Sequence, residues 1–162
     1  MDFITCLLKS TKQNDSIFVV IDKLSKQAHF IHVKSTYKAV NIVDIFLKEI
    51  FRLHGTPKAI ISDQDVKFIG NFWRSLFSGL ETQLNFSTAY HPQTNNKIDR
   101  VNQIVEDKLQ MYVMNNPTKW EDYLHLVEFS HNNGYQTSTK MSPFEVLYVR
   151  KCRTLMSSSF LA

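Results

Sequence analysis

Three carboxylates, Asp2, Asp63 and Asp99, each stand in their own apolar-flanked segment, and 35 residues (positions 64 to 98) separate the second from the third. Acids gathered at one point repel one another strongly unless cations lie between them. Two divalent ions held ~3.5–4 Å apart by such a trio can stabilise both the attacking and the leaving oxygen of a phosphoryl transfer. Hard oxygen ligands suit Mg²⁺ or Mn²⁺, so the trio points to metal-dependent chemistry on phosphodiesters. Taken singly, each Asp has a plainer reading, because an Asp at a strand end or near a helix start is usually a turn former or a cap.

The elements that would position the trio can be read from hydrophobic period. Residues 2–8 (DFITCLL), 16–22 (SIFVVID) and 28–33 (AHFIHV) are β-rich runs with short polar breaks, an antiparallel meander. From Lys38 the period becomes helical, with Ala39, Ile42, Val43, Phe46, Ile50 and Leu53 forming one stripe until Gly55 and Pro57 stop it. Residues 58–62 (KAIIS) make a short buried strand ending on Asp63, the rim on which open α/β sheets place ligands. Phe68, Phe72, Trp73, Leu76, Phe77 and Leu80 mark a second amphipathic helix, and 84–88 (LNFST) a last strand, so the middle of the chain has the β-α-β-α-β order of parallel pairing.

A loop, Ala89 to Asn96, then leads into a long helix with Ile98, Val101, Val105, Leu109 and Tyr112 inward and Asp99 in its first turns. Capping boxes are expected at Thr118 with Glu121 and at Ser142 with Glu145, the latter with Pro143 at the first helical position. The reading is an α/β fold, with a five-stranded mixed sheet flanked by helices, over residues 1–153, and a frayed tail at 154–162.

Composition sets outer bounds. At 162 residues the chain is one domain able to bury roughly two thirds of its unfolded surface. A hydrophobic content of 43% with four Gly and four Pro excludes a disordered or low-complexity chain. Net charge +4 and a pI of about 9.0 suit a polyanion partner without requiring one. Cys6 and Cys152 form no CxxC pattern and read as free thiols of a reducing compartment. No apolar run reaches the ~18 residues of a membrane span, so no membrane partner is expected, and the location expected is intracellular. The six histidines suggest no zinc site: His29 and His32 lie at odd separation on one strand and face opposite sides, His125 and His131 are six apart on a helix, and His54 precedes a turn.

Long runs in fixed order carry a resemblance that spans nearly the whole chain: MDFI (1–4), IDKLSKQAHFI (21–31), LHGTPKAIISDQDVKF (53–68), FWRSL (72–76), STAYHPQT (87–94), RVNQ (100–103), LVEFSHNN (126–133) and SPFEVLYVRKCR (142–153). These segments resemble the integrase catalytic core of Ty3/gypsy-type LTR retrotransposon polyproteins, within the retroviral integrase superfamily. The resemblance implies an RNase H-like fold and a polynucleotidyl transferase that trims the 3′ ends of element DNA and joins them to target DNA, in the nucleus, with Mg²⁺ or Mn²⁺ held by two Asp and a Glu. Carried over, these positions fall on Asp2, Asp63 and Asp99, while Asp65 is no ligand and Asp22 is structural. His91 and Gln93 fall in the active-site loop. Lys97, Arg100, Asn102 and Gln103 then line a DNA channel, with Lys97 and Arg100 on phosphate. Glu106 shares the face of Asp99 and reads equally well as solvated. The partners implied are element and target DNA and a second copy of the chain, with no small-molecule cofactor.

Departures from the family pattern bear on activity. Asp99 is one methylene shorter than Glu, which withdraws its carboxylate by about 1.5 Å, and Glu106 lies about 10 Å farther along the helix. Asn95-Asn96 replaces the usual Asp-Gly, and Met1 directly precedes Asp2, so a poorly anchored first strand is expected. The family's zinc module and DNA-binding C-terminal part fall outside the matched region, as in a polyprotein fragment. The sequence therefore suggests an impaired enzyme. The alternatives are a non-catalytic retroelement-derived domain that binds nucleic acid or another protein, and an RNase H-type nuclease, which the integrase-like motifs disfavour.

Overall fold

The computed structural model describes residues 1–62, 68, 70–86 and 92–153, without the side chains of Phe72 and of residues 92–98. Among the described residues, five strands form in two ladders. β1 (Asp2–Ile4), β2 (Ser16–Ile21) and β3 (Ala28–Val33) pair antiparallel, with Asp2 opposite Val19 and Phe18 opposite Ile31. β4 (Ala59–Ser62) and β5 (Gln83–Phe86) pair in parallel. The ladders meet where the Met1 nitrogen donates to the Ile61 carbonyl at 2.7 Å. Met1 is buried and all three residues of β1 are paired, so the first strand is better anchored than its position in the sequence suggests. It is also shorter than the expected 2–8, because Cys6 takes a positive φ (63°) that no extended ladder tolerates.

Alternation along the strands divides the core in two. Phe3, Phe18 and Val33 face α1 (Ala39–Phe46) and α3 (Asn71–Gly79), whose Phe46, Trp73 and Phe77 rings pack with centroids 5.0–6.0 Å apart. Ile4, Ile17, Val19 and Phe30 face the opposite way, against Val105 and Leu109 of α4 (Pro92–Val113) and Trp120, Leu124 and Val127 of α5 (Trp120–Asn133). Helices thus cover both faces of the sheet. Asp2, two residues from Ile4, belongs to the face turned toward α4.

Four expectations change. The helix after Lys38 does not keep one stripe: a π-helical segment, Leu47–Phe51, follows α1 and leads into α2 (Arg52–His54), with the Arg52 N–H reaching back to Leu47. The extra residue per turn rotates the phase, and Leu53 is left 52% exposed. The long helix begins at Pro92 rather than after Asn96, so Asn95-Asn96 is helical backbone and not loop. Its far end also differs, as Tyr112 is exposed and stacks on Tyr123 at 5.7 Å.

The box at Thr118 and Glu121 does not form. A 3₁₀ turn, Pro117–Lys119, precedes α5, and no side chain caps the helix. Glu121 is engaged elsewhere: it accepts from Ser10, whose hydroxyl also takes the Asn14 N–H, and Lys12 Nζ lies 3.6 Å away. With Trp120 Nε1 donating to the Leu8 carbonyl at 2.8 Å, this clamps the β1–β2 connection onto the start of α5. The second box forms as expected. Ser142 N donates to Glu145 Oε2 (2.8 Å) and Glu145 N to Ser142 Oγ (3.3 Å), opening α6 (Pro143–Tyr148).

The Glu121 clamp makes stability pH-dependent. Burial alone would raise its pKa, but hydrogen bonds from Ser10 and Asn14 and the charges of His32 and Lys12 outweigh that and hold it below its usual 4.5. A depressed folded pKa means the stabilisation is complete above the unfolded value and is lost as pH falls through the folded one. Thermal melts should show the wild type losing stability below pH 4.5. Glu121→Gln should start about 1.5–3 kcal/mol lower at neutral pH, the worth of a charged hydrogen bond, and lose less over the same acid window.

Candidate active site

Asp2 is half-buried at the start of β1, and Asn102 reaches it from α4: Asn102 Nδ2 donates to Asp2 Oδ2 at 2.6 Å. This bond ties the helix to the strand at the proposed reaction centre. Asn102 is among the residues expected to line a DNA channel, and its amide contacts the Asp2 carboxylate. The spacing alone could have suggested this, because Asn102 lies three residues after Asp99 and so on nearly the same helical face, about 4.5 Å along the axis.

Asp99 is described and exposed, one turn before Asn102. Asp63 and Asp65 lie outside the described residues, as does His91; Gln93 and Lys97 are placed in α4 by backbone only. Asp63 directly follows Ser62, the end of β4, the strand that β1 meets through Met1 and Ile61. Arg100 is exposed and lines a cleft of about 1160 Å³ together with Met1, Ile61, Asn85 and Ile104. Gln103 is exposed but donates to Asp107 at 2.9 Å, one turn along the same helix. Asp22 is structural as read: burial opposes its ionisation, but the Ser25 hydroxyl and the Ser25 and Leu24 N–H groups hold its pKa low.

A divalent cation fits the donors that can be described. The Asp2 carboxylate supplies hard oxygen, and Asn102 Oδ1, on the amide that holds it, is buried without a hydrogen-bond partner among the described residues. Both are the hard oxygen donors that Mg²⁺ or Mn²⁺ takes. Among the described residues, which leave out Asp63, no three His, Cys, Asp or Glu side chains converge.

No family model matches the sequence. The chain is 34% identical over 148 residues, 91% of its length, to the Transposon Tf2-3 and Tf2-4 polyproteins of Schizosaccharomyces pombe. It spans 11% of the length of those polyproteins. Its fold superposes on the simian T-cell lymphotropic virus intasome in complex with PP2A regulatory subunit B56 gamma (TM-score 0.74, 17% identity, 94% of this chain and 55% of that one). It also superposes on the HTLV-2 integrase catalytic core domain in complex with magnesium, trimeric form (TM-score 0.69, 14% identity, 90% of this chain and 93% of that one). The chain is a relative of Tf2 retrotransposon polyproteins with the fold of an integrase catalytic core. The BIV integrase catalytic core domain matches over 91% of this chain and 93% of its own length at TM-score 0.67 and 18% identity, so the likeness is of whole cores, and the fold is RNase H-like as expected. Among the described residues no helix is long and apolar enough to cross a membrane.

Proposed function

We propose that this chain is the catalytic core of a retroelement DNA-joining enzyme, a polynucleotidyl transferase whose rate is lowered by Asp99. The Asn102–Asp2 bond carries the reading, because it sets α4 against β1 one helical turn from Asp99 and beside β4, whose last residue Ser62 directly precedes Asp63 in sequence. A carboxylate held by an amide donor has its direction fixed, which a ligand for a metal ion requires. Arg100, exposed on the same turn, supplies a phosphate contact that positions a duplex without reading its sequence. Mg²⁺ or Mn²⁺ bound by Asp2, Asp63 and Asp99 would act as Lewis acid toward the scissile phosphate. The partners are element ends and target DNA, the working copy is a homodimer, and the site of action is the nucleus.

A disintegration assay with Mn²⁺ tests this. Weak but measurable joining is expected from the wild type and none from Asp2→Asn. Asn102→Ala should lose a further 10–100-fold, the usual effect of removing a group that orients a metal-binding carboxylate, while its thermal melt stays close to wild type.

The exposure of Asp99 favours one second reading, a domain that keeps the fold and binds DNA without cutting it. It predicts binding that weakens steeply with salt and no product with Mn²⁺ from the wild type or from Asp99→Glu.

A further inference from the structure

β1 is shorter than the strands on either side of it. Its first pair sets Asp2 opposite Val19, yet β2 continues through Val20 to Ile21, and β4 begins two residues before Ile61, whose carbonyl accepts from the Met1 nitrogen. Beyond Met1, β2 and β4 therefore flank a gap one strand wide, about 9.6 Å across at two ladder spacings. The cleft of about 1160 Å³ runs into it, lined there by Met1, Val20, Ile21, Ala59, Ile60 and Ile61.

Backbone groups on both walls point into this gap. Asp22 N–H donates to the Gln27 carbonyl at 2.8 Å, and on β3 Ala28 and Phe30 turn outward to Asn132 and Glu128 of α5. Val20 and Asp22 thus pair toward β3, and Ile21 between them turns its N–H and C=O into the gap. On β4, the Lys58 carbonyl accepts from Gln83 at 3.1 Å and the Ile61 carbonyl from Met1 at 2.7 Å, so Ala59 and the Ile61 N–H also face the gap. Among the described residues no hydrogen bond meets these groups.

The two faces of the gap differ in chemistry. On one, Val20 and Ile60 belong with Phe46 and Ile50 to the first core cluster. On the other, Ile21 packs with the second cluster, and Arg100, Ile104 and Lys108 of α4 line the cleft at i, i+4 and i+8. Lys108 is half-buried: its Nζ donates to Ser130 Oγ at 2.8 Å, burial lowers its pKa, and no carboxylate pairs with it among the described residues. Lys23 and Lys26 add charge at the β2–β3 turn, and the Asp22 carboxylate beside them is already held by Ser25. His29 and His54 line the same cleft, where a hydrogen bond between their Nε2 atoms at 2.9 Å joins the two rings.

We propose that this gap binds an extended peptide of a partner protein, with acidic and apolar residues in alternation, as an added strand between β2 and β4. The peptide residue opposite Ile21 shares its face and turns toward Arg100 and Lys108, so it is Asp or Glu. Its neighbours turn toward Phe46 and Ile50, so they are apolar. The acidic residue pairs its N–H and C=O with Ile21, and the next one along donates to the Ala59 carbonyl and accepts from the Ile61 N–H. A nucleic-acid strand would meet the same cations but carries no N–H and C=O groups at strand spacing to satisfy this backbone. The gap uses neither Asp99 nor a metal ion, so it stands apart from the joining chemistry.

Fluorescence anisotropy of a short dye-labelled peptide of alternating Glu and Val, titrated with the full chain, tests the proposal. Binding should be saturable, should weaken about 10-fold or more with a central Pro, which removes a ladder donor, and should vanish when Lys replaces Glu. Lys108→Gln should weaken it about 10-fold, the scale of a charged hydrogen bond, with a thermal melt confirming that the variant is folded. Amide exchange at Ile21 and Ile61 should slow when the peptide binds. Equal affinity for the Pro-containing peptide, unchanged exchange at Ile21, or no saturable binding would each overturn the proposal. A single-stranded oligonucleotide that displaces the peptide with no slowing of Ile21 exchange in either complex would overturn it too, and would assign the cleft to nucleic acid.

Discussion

Replacing Asp99 with Glu is expected to raise Mn²⁺-dependent strand joining by about 10-fold or more, equivalent to at least ~1.4 kcal/mol of barrier. The argument is one of reach. Asp99 sits on the turn before Asn102, whose amide already contacts Asp2, so on the proposed reading the backbone of α4 is in place and the side chain alone falls short. One added methylene advances the carboxylate by about 1.5 Å. Mg²⁺ demands near-octahedral distances and punishes such a gap more than Mn²⁺ does, so the gain should be larger when Mg²⁺ is the only ion. Steady-state joining rates of the two proteins with each metal measure it. Equal Mg²⁺-dependent rates in both proteins would remove Asp99 as the cause of low activity.

Phe18→Ala should cost about 3–5 kcal/mol of stability, the usual result of emptying a buried aromatic site. Phe18 is fully buried, 5.1 Å from the Phe3 ring and 6.0 Å from Phe68. It is also paired with Phe3 in the ladder, next to Asp2. Loss of this packing loosens β1 at the residue beside the first carboxylate, so joining should fall along with the urea midpoint. An unfolding free energy within about 1 kcal/mol of wild type would show that this aromatic cluster does not hold the strand.

Strands and buried stripes were legible because period-2 and period-3.6 patterns follow directly from which face meets the core. β2, β3 and the Trp73–Phe77 face of α3 stand where alternation and helical spacing put them. What the sequence could not show depends on partners distant in the chain. Thr118 and Glu121 have the spacing of a capping box, but Ser10, 111 residues away, takes the carboxylate first. Leu53 fits the stripe of α1 until an extra residue per turn rotates it outward. In the proposed site, residue types and motif order point to Asp2 and Asp99, whereas the Asn102–Asp2 bond depends on the approach of α4 to β1. The His29–His54 contact had no local signal at all, because two single histidines on separate elements look alike whether or not they meet.

The central claim is that Asp2, Asp63 and Asp99 hold catalytic divalent ions. Anomalous diffraction from crystals soaked in Mn²⁺ measures this directly. The account predicts a peak between Asp2 and Asp63, within ligand distance of the Asp2 oxygen that Asn102 leaves available, and a stronger second peak in Asp99→Glu. An empty map between those two carboxylates at saturating Mn²⁺, in both proteins, would contradict it.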